Sequence, residues 1–257
     1  FFRPRRVPRR QALLLMALGA VQYGLMYVAY NFSYRYLPSH QVALFTIFTP
    51  FFVTIIHDIR RRRFHSVFLL TAILAIAGAA IIRGSLDDFG AALRGFLLVQ
   101  LSNLCFALGQ VYYGPLMDQL DQPGASSAAG GARRTRDVEV FGYLYLGALI
   151  LVSIPAAWIL EPANLALSPR QWLTLLYLGL LPSGLGFFLW NLGARRTNAG
   201  TMATMNNAKI PLGVACSLLI FHESADIPRL LIGAAIIAIA IRPGFLPLEP
   251  GRPPDQC

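Results

Sequence analysis

Apolar residues along this chain gather in long blocks, and the charged residues collect between them. Eight blocks predict eight membrane-spanning helices, at about 12–34, 41–59, 65–83, 95–117, 139–160, 171–193, 200–221 and 229–242. A helical span needs roughly 20 such residues. The last block is short, with an unbroken apolar core at 230–241, so it would tilt little and thin the bilayer locally. Strands of a membrane barrel would alternate apolar and polar at every second residue, and these blocks do not. The expected fold class is all-α, a polytopic membrane helical bundle.

The pattern also repeats. At an offset of 160 residues Leu18-Gly19 matches Leu178-Gly179, Gly24-Leu25 matches Gly184-Leu185, Asn31 matches Asn191 and Arg35 matches Arg195; Pro50 matches Pro211 one residue later in register. Five spans separate each matched pair. Five is odd, so the copies cross the membrane in opposite directions, as in inverted-repeat transporters that hold substrate at the midplane. Two spans precede Leu178, but only 17 residues precede Leu18. The offset sets Phe1 opposite Glu161, just past a span end. The reading is therefore inverted five-helix repeats with eight of ten helices present and the first two missing, an arrangement expected not to function as it stands. Residues 1–84 are then the remainder of the first repeat (helices 3–5), and 95–242 the second (helices 6–10). A cytoplasmic linker is expected at 118–138 and a cytoplasmic tail at 243–257.

Charge adds orientation. The chain is 56% hydrophobic and 13% charged, with mean hydropathy +0.55. A soluble domain would carry about a quarter charged residues. A net charge of +10 in a soluble chain would suggest nucleic acid. Here the arginines flank apolar blocks, which calls for no nucleic acid and fits the positive-inside rule. Of the arginines, 16 fall on one side and five on the other, which makes both ends of this chain cytoplasmic in a bacterial inner membrane. The segment Phe1-Phe-Arg-Pro-Arg-Arg is not a signal peptide, and the chain lacks an initiator methionine. Cys105, Cys216 and Cys257 have no metal or redox spacing, and no metal or cofactor is expected.

Polar residues inside the spans are the candidates for chemistry. Lys209, the one lysine, sits near the centre of the block 200–221. Insertion scales put a charge there at about 2.5–3.5 kcal/mol. Asn206 lies on its helical face, Asn207 is adjacent, and Pro211 frees the Asn207 carbonyl. These groups would bind an anionic or zwitterionic metabolite in a cavity between the repeats. A bound anion would link binding to lysine protonation and open a route to proton coupling. The bland reading is a structural lysine, but every Asp and Glu lies in a loop or near a span end. In the fourth span Gln100, Asn103 and Gln110 form a polar stripe, which faces protein or a cavity rather than lipid. In the first span Gln22, Tyr23, Tyr27 and Tyr30 share a face, and Ser183, Trp190 and Asn191 occupy the matching span. Aromatic rings with amides suit a small organic solute; the alternative is helix packing with an interfacial tyrosine belt. The glycines Gly19, Gly24, Gly179, Gly184 and Gly186 read as close-packing positions. His57-Asp58 reads as an interfacial ion pair with Arg60 or Arg61, against a proton-passing role for the histidine. The expected substrate-binding set is Lys209, Asn206, Asn207, Asn103, Gln110, Gln22, Tyr27, Asn191 and Trp190.

These motifs resemble the EamA-like family of the drug/metabolite transporter superfamily. The matching residues are the glycine-rich stretch Leu18–Tyr30 running into Tyr34-Arg35-Tyr36-Leu-Pro-Ser-His-Gln-Val-Ala43, then Thr49-Pro50. The second copy supplies Trp190-Asn-Leu-Gly-Ala-Arg195, Ala199-Gly-Thr-Met-Ala203, Ile210-Pro211-Leu212, Phe221-His222-Glu223 and Leu231-Ile-Gly233. The resemblance implies ten helices in two inverted repeats with both ends cytoplasmic. This chain departs from the family in carrying His222-Glu223 where Gly-Glu is common. The motif Asn206-Asn207-Ala-Lys209-Ile-Pro is not general in the family, so no substrate follows from it. The expected function is a secondary transporter of small organic metabolites (amino acids or related carboxylates and amines) by alternating access. The alternatives are a drug or cation exporter, which a lone cationic site disfavours, and an integral membrane enzyme, for which no catalytic set appears in the spans. Nothing in the pattern sets an oligomeric state.

Overall fold

The computed structural model describes residues 7–60, 89–120, 137–159 and 167–194, together with residues 206, 214, 216–220, 222, 226–228, 231–232 and 235. The described residues hold five helices long and apolar enough to cross a membrane. Helix α1 is Arg9–Ser33, α2 begins at Ser39 and runs through Arg60, α3 is Phe89–Leu120, α4 is Asp137–Ile159 and α5 is Pro169–Ala194. They correspond to the expected spans 12–34, 41–59, 95–117, 139–160 and 171–193. The other three expected spans fall wholly or mostly outside the described residues.

Two boundaries differ from expectation. Helix α3 has 32 residues, roughly 48 Å at 1.5 Å per residue, and so outruns a hydrocarbon core of about 30 Å. It continues to Leu120, and α4 already begins at Asp137, so both ends of the expected linker 118–138 are helical. Asp137 and Glu139 sit in the first turn of α4, where carboxylates favour the helix dipole. The Tyr113 hydroxyl donates to Asp137 Oδ1 at 2.8 Å, which ties the start of α4 to α3.

Local chemistry accounts for the remaining ends and kinks. Helix α5 starts on a capping box. Ser168 Oγ accepts from the Gln171 amide, the Gln171 side chain accepts from the Ser168 amide, and Pro169 occupies the first turn. Helix α2 tightens to a 3-10 turn at Thr46–Phe48. Pro50 lacks the N–H that would bond the Thr46 carbonyl, and the Thr49 hydroxyl donates to that carbonyl at 2.9 Å. Thr46 and Thr54 hydroxyls donate to the carbonyls of Ala43 and Pro50 in the same way.

Helices α1 and α5 share an irregularity that the periodicity does not announce. Ala20–Leu25 of α1 and Gly179–Gly186 of α5 are π-helical, and the two segments are related by the offset of 160. In α5 a Cβ on Gly184 would lie 2.9 Å from the Gly179 carbonyl oxygen, and one on Gly186 would lie 3.3 Å from that of Leu181. The wide turn brings each carbonyl over a residue five positions on, and glycine leaves room for it.

The chain divides into two compact units, Phe1–Asn31 with Leu101–Thr197, and Phe32–Gln100 with Asn198–Cys257. Each draws on both of the repeats read in the sequence. In the first unit α1 crosses α4 backbone to backbone. A Cβ on Gly19 would overlap the Leu144 backbone, and one on Gly147 would overlap the Met16 carbonyl. The apolar core there includes Leu15, Tyr23, Met26, Phe106, Met117, Val140 and Leu144. Gly24 approaches Ala148. Among the described residues nothing lies within 4 Å of where a Cβ on Gly179, the counterpart of Gly19, would be, whereas Gly19 and Gly24 are close-packing positions as expected. In the second unit Phe96 packs edge-on against Phe45 and Phe48 at 5.2 and 6.0 Å.

His222 adopts φ 52°, the left-handed region that a glycine takes without a steric penalty. It follows a helical stretch at 216–219, where glycine is the usual terminating residue. His222→Gly is therefore expected to stabilise the protein by about 1 kcal/mol. A melting temperature in detergent equal to or below that of the wild type would contradict this.

Candidate functional site

The first unit holds a polar and aromatic cluster at the two π segments. Gln22 and Asn191 are fully buried. The Gln22 Nε2 amide donates to Asn191 Oδ1 at 3.0 Å, and Asn191 Nδ2 donates to the Tyr23 hydroxyl at 2.8 Å. One turn along, the hydroxyls of Tyr27 and Ser183 hydrogen-bond at 2.9 Å. The Tyr145 hydroxyl of α4 donates to the carbonyl of Ser183 and lies 3.4 Å from that of Gly184. Both carbonyls belong to the π segment of α5, where Pro182 interrupts the ordinary ladder.

Rings enclose these groups. Tyr23 stacks on Phe187 at 4.9 Å and on Tyr145 at 5.4 Å, and meets Phe141 edge-on at 6.1 Å. Phe187 also touches Tyr27 and Phe106, and Phe106 lies 6.1 Å from the Trp190 ring. Aromatic pairs contribute about 0.5–1.5 kcal/mol each beyond their buried area. Interhelical hydrogen bonds in membranes average about 0.6 kcal/mol. Ring packing therefore holds α5 here more than the polar bonds do.

Helix α3 closes the cluster from another side. A Cβ on Gly109 would overlap the Gln22 carboxamide, so the glycine lets α3 seat directly against it in this geometry. Three buried side-chain atoms of the cluster have no hydrogen-bond partner among the described residues: Gln22 Oε1, Gln110 Nε2 and Trp190 Nε1. An unpartnered buried polar atom costs about 1–3 kcal/mol, which is unusual enough to mark the place.

Of the residues expected to bind substrate, Gln22, Tyr27, Asn191 and Trp190 come together here, and Gln110 adjoins Gly109. Asn103 is buried on α3. Asn206 belongs to the second unit and is buried, and neither Nδ2 nor Oδ1 has a partner among the described residues. Lys209 and Asn207 lie outside the described residues, as do Arg61 and the Asp58 side chain. Sequence reasoning missed Tyr145, Phe106, Phe141, Phe187 and Gly109. The offset pairs Tyr23 with Ser183 and Tyr27 with Phe187, so it held the signal for Phe187. The spacing Phe141, Tyr145, Ala148 held the signal for the α4 stripe.

A sequence profile of the EamA-like transporter family matches residues 1–84 and 128–242. The chain belongs to the EamA-like transporter family. It is a multi-pass membrane transporter of small metabolites, within the drug/metabolite transporter superfamily. Among its relatives, the probable biotin transporter of Pseudomonas aeruginosa is 41% identical over 231 residues, 88% of this chain and 75% of that protein. The biotin transporter of Salmonella typhimurium is 35% identical over 244 residues, 94% of this chain and 76% of its own. That of Escherichia coli K12 is 36% identical over 246 residues, with the same coverage. A crystal structure of a protein with 17% sequence identity superposes with TM-score 0.55 over 89% of this chain and 74% of its own, which shows the fold alone.

Proposed function

We propose that the protein carries biotin, or a closely similar carboxylate built on a cyclic urea, across the bacterial inner membrane by alternating access. The buried Gln22–Asn191 amide pair inside a ring of aromatics carries this reading, because amides and rings suit a flat solute with apolar faces and a few polar edge groups. The relatives named biotin transporters supply the solute. For the acid end of biotin the proposed partner is Lys209, on its sequence position alone, with Asn206 and Asn207 beside it. Neutralising that carboxylate would link transport to the lysine proton.

Inverted repeats are part of the same proposal. The contacts run Gln22–Asn191, Tyr23–Phe187, Tyr27–Ser183, so α5 descends as α1 ascends. Exchanging each residue for its counterpart at offset 160 turns the Tyr23–Phe187 contact into Ser183–Tyr27 and returns Tyr27–Phe187 to itself. Both relations are expected of antiparallel copies about a pseudo-two-fold axis. The ten-helix plan, the repeat boundaries 1–84 and 95–242, and cytoplasmic placement of both ends follow the same reading.

The test is radiolabelled biotin flux into proteoliposomes containing the protein in its full-length, ten-helix form, with uncharged biotin methyl ester as competitor. Saturable flux that free biotin competes for and the ester does not is the expected result. Flux no greater than in protein-free liposomes would overturn the assignment.

A further inference from the structure

We propose that Gln22, Gln110 and Trp190 form a subsite for the planar cyclic urea of the substrate, separate from whatever holds its carboxylate. This rests on the transport reading above and deepens it. The inference starts from the three buried atoms that find no partner among the described residues: two N–H donors, Gln110 Nε2 and Trp190 Nε1, and one acceptor, Gln22 Oε1. A cyclic urea presents the complement, with one carbonyl oxygen that accepts two hydrogen bonds and ring N–H groups that donate.

The three side chains belong to one neighbourhood. Gln22 bonds Asn191 at 3.0 Å, and Asn191 follows Trp190 in the chain. Trp190 faces Phe106 at 6.1 Å, one helical turn before Gly109 and Gln110. Gly109 itself rests on the Gln22 carboxamide. Asn191 spends its own amide on Tyr23 and its oxygen on Gln22, so it orients Gln22 rather than reading the ligand. The Gln22 oxygen is thereby left as the acceptor. A flat ring whose carbonyl meets Trp190 Nε1 and Gln110 Nε2 and whose N–H meets Gln22 Oε1 would satisfy all three groups at once, approaching the edge of the Trp190 ring because the 6.1 Å between Trp190 and Phe106 holds no third ring. A bare carboxylate has no donor for Gln22 Oε1, so it would leave that atom unsatisfied.

Trp190→Phe keeps a ring against Phe106 and removes only the N–H. Gln110→Leu removes the second donor. The probes are biotin, 2-imidazolidone (the cyclic urea alone) and lipoate (an acid with a sulfur ring but no urea), read by thermal shift and by competition with labelled biotin. Each variant is expected to weaken biotin and 2-imidazolidone about 10-fold, the scale of one hydrogen bond, while the weak response to lipoate stays unchanged. A merely structural role would move all three ligands together, which overturns the subsite. Wild-type biotin affinity in both variants also overturns it and leaves the biotin reading standing. If 2-imidazolidone binds and its binding falls in Trp190→Phe although biotin is not carried, the subsite stands and the biotin reading fails. If millimolar 2-imidazolidone has no effect on the wild type, the subsite is wrong.

Discussion

Gly147→Leu is expected to prevent the first unit from folding, whereas Gly179→Leu in this 257-residue chain is expected to change its melting temperature little. Gly147 meets the Met16 carbonyl and Gly19 meets the Leu144 backbone. Overpacking a core costs about 1–3 kcal/mol even where side chains can give way. Here the obstacle is backbone, so α1 and α4 must separate along their whole crossing. That separation also exposes Leu15, Leu144 and the Tyr23 stack, and the total loss reaches the scale of the stability of a domain, about 5–15 kcal/mol. Gly179, the counterpart of Gly19 at the offset of 160, has no neighbour within 4 Å of a Cβ among the described residues. The measurement is the fraction of detergent-extracted protein that elutes as one symmetric peak, followed by its thermal melt. A wild-type melt for Gly147→Leu would mean that this crossing does not hold the unit together.

Lys209→Met is expected to abolish binding of carboxylate solutes and at the same time to make the protein no less stable. The two effects separate the readings. A charge in mid-membrane costs about 2.5–3.5 kcal/mol on insertion scales, so removing it from a binding site relieves the apo protein. If instead the lysine formed a structural ion pair, its loss would strand a buried carboxylate and lower the melt by several degrees. Methionine matches the length of the lysine stem, so packing is preserved. Flux of biotin in proteoliposomes and a melt on the same preparation, both with the variant in the full-length, ten-helix form, decide between them. Wild-type flux in Lys209→Met, or a large loss of stability without loss of flux, removes Lys209 from the site.

Much of the fold was legible because hydrophobic blocks of this length have only one economical solution in lipid. Backbone groups must bond internally, so the blocks at 12–34, 41–59, 95–117, 139–160 and 171–193 became helices with ends shifted by a few residues. The shifts have causes that single-residue hydropathy does not weigh. A capping box draws α5 back to Pro169, and carboxylates at the dipole end start α4 at Asp137. The candidate site was partly legible too. Gln22, Tyr27, Trp190 and Asn191 stood out because amides and aromatics in a span need a protein partner. Tyr145 and Gly109 did not stand out, since a tyrosine or a glycine in an apolar helix has many uses. Only its neighbours assign one.

The sequence by itself determined the class, the five membrane-spanning helices of the described residues and an offset of 160 between matched residues. Those follow from the cost of polar backbone in lipid and from spacing along one chain. Tertiary structure alone decided that the matched helices carry π turns at the same place, and that Tyr23 and Tyr27 meet Phe187 and Ser183 across them. It alone decided that one glycine of a matched pair is crowded by backbone while the other has no such neighbour among the described residues. These are properties of how helices approach each other. A pairwise approach depends on which two faces meet at what depth, and no periodicity within a single helix encodes that.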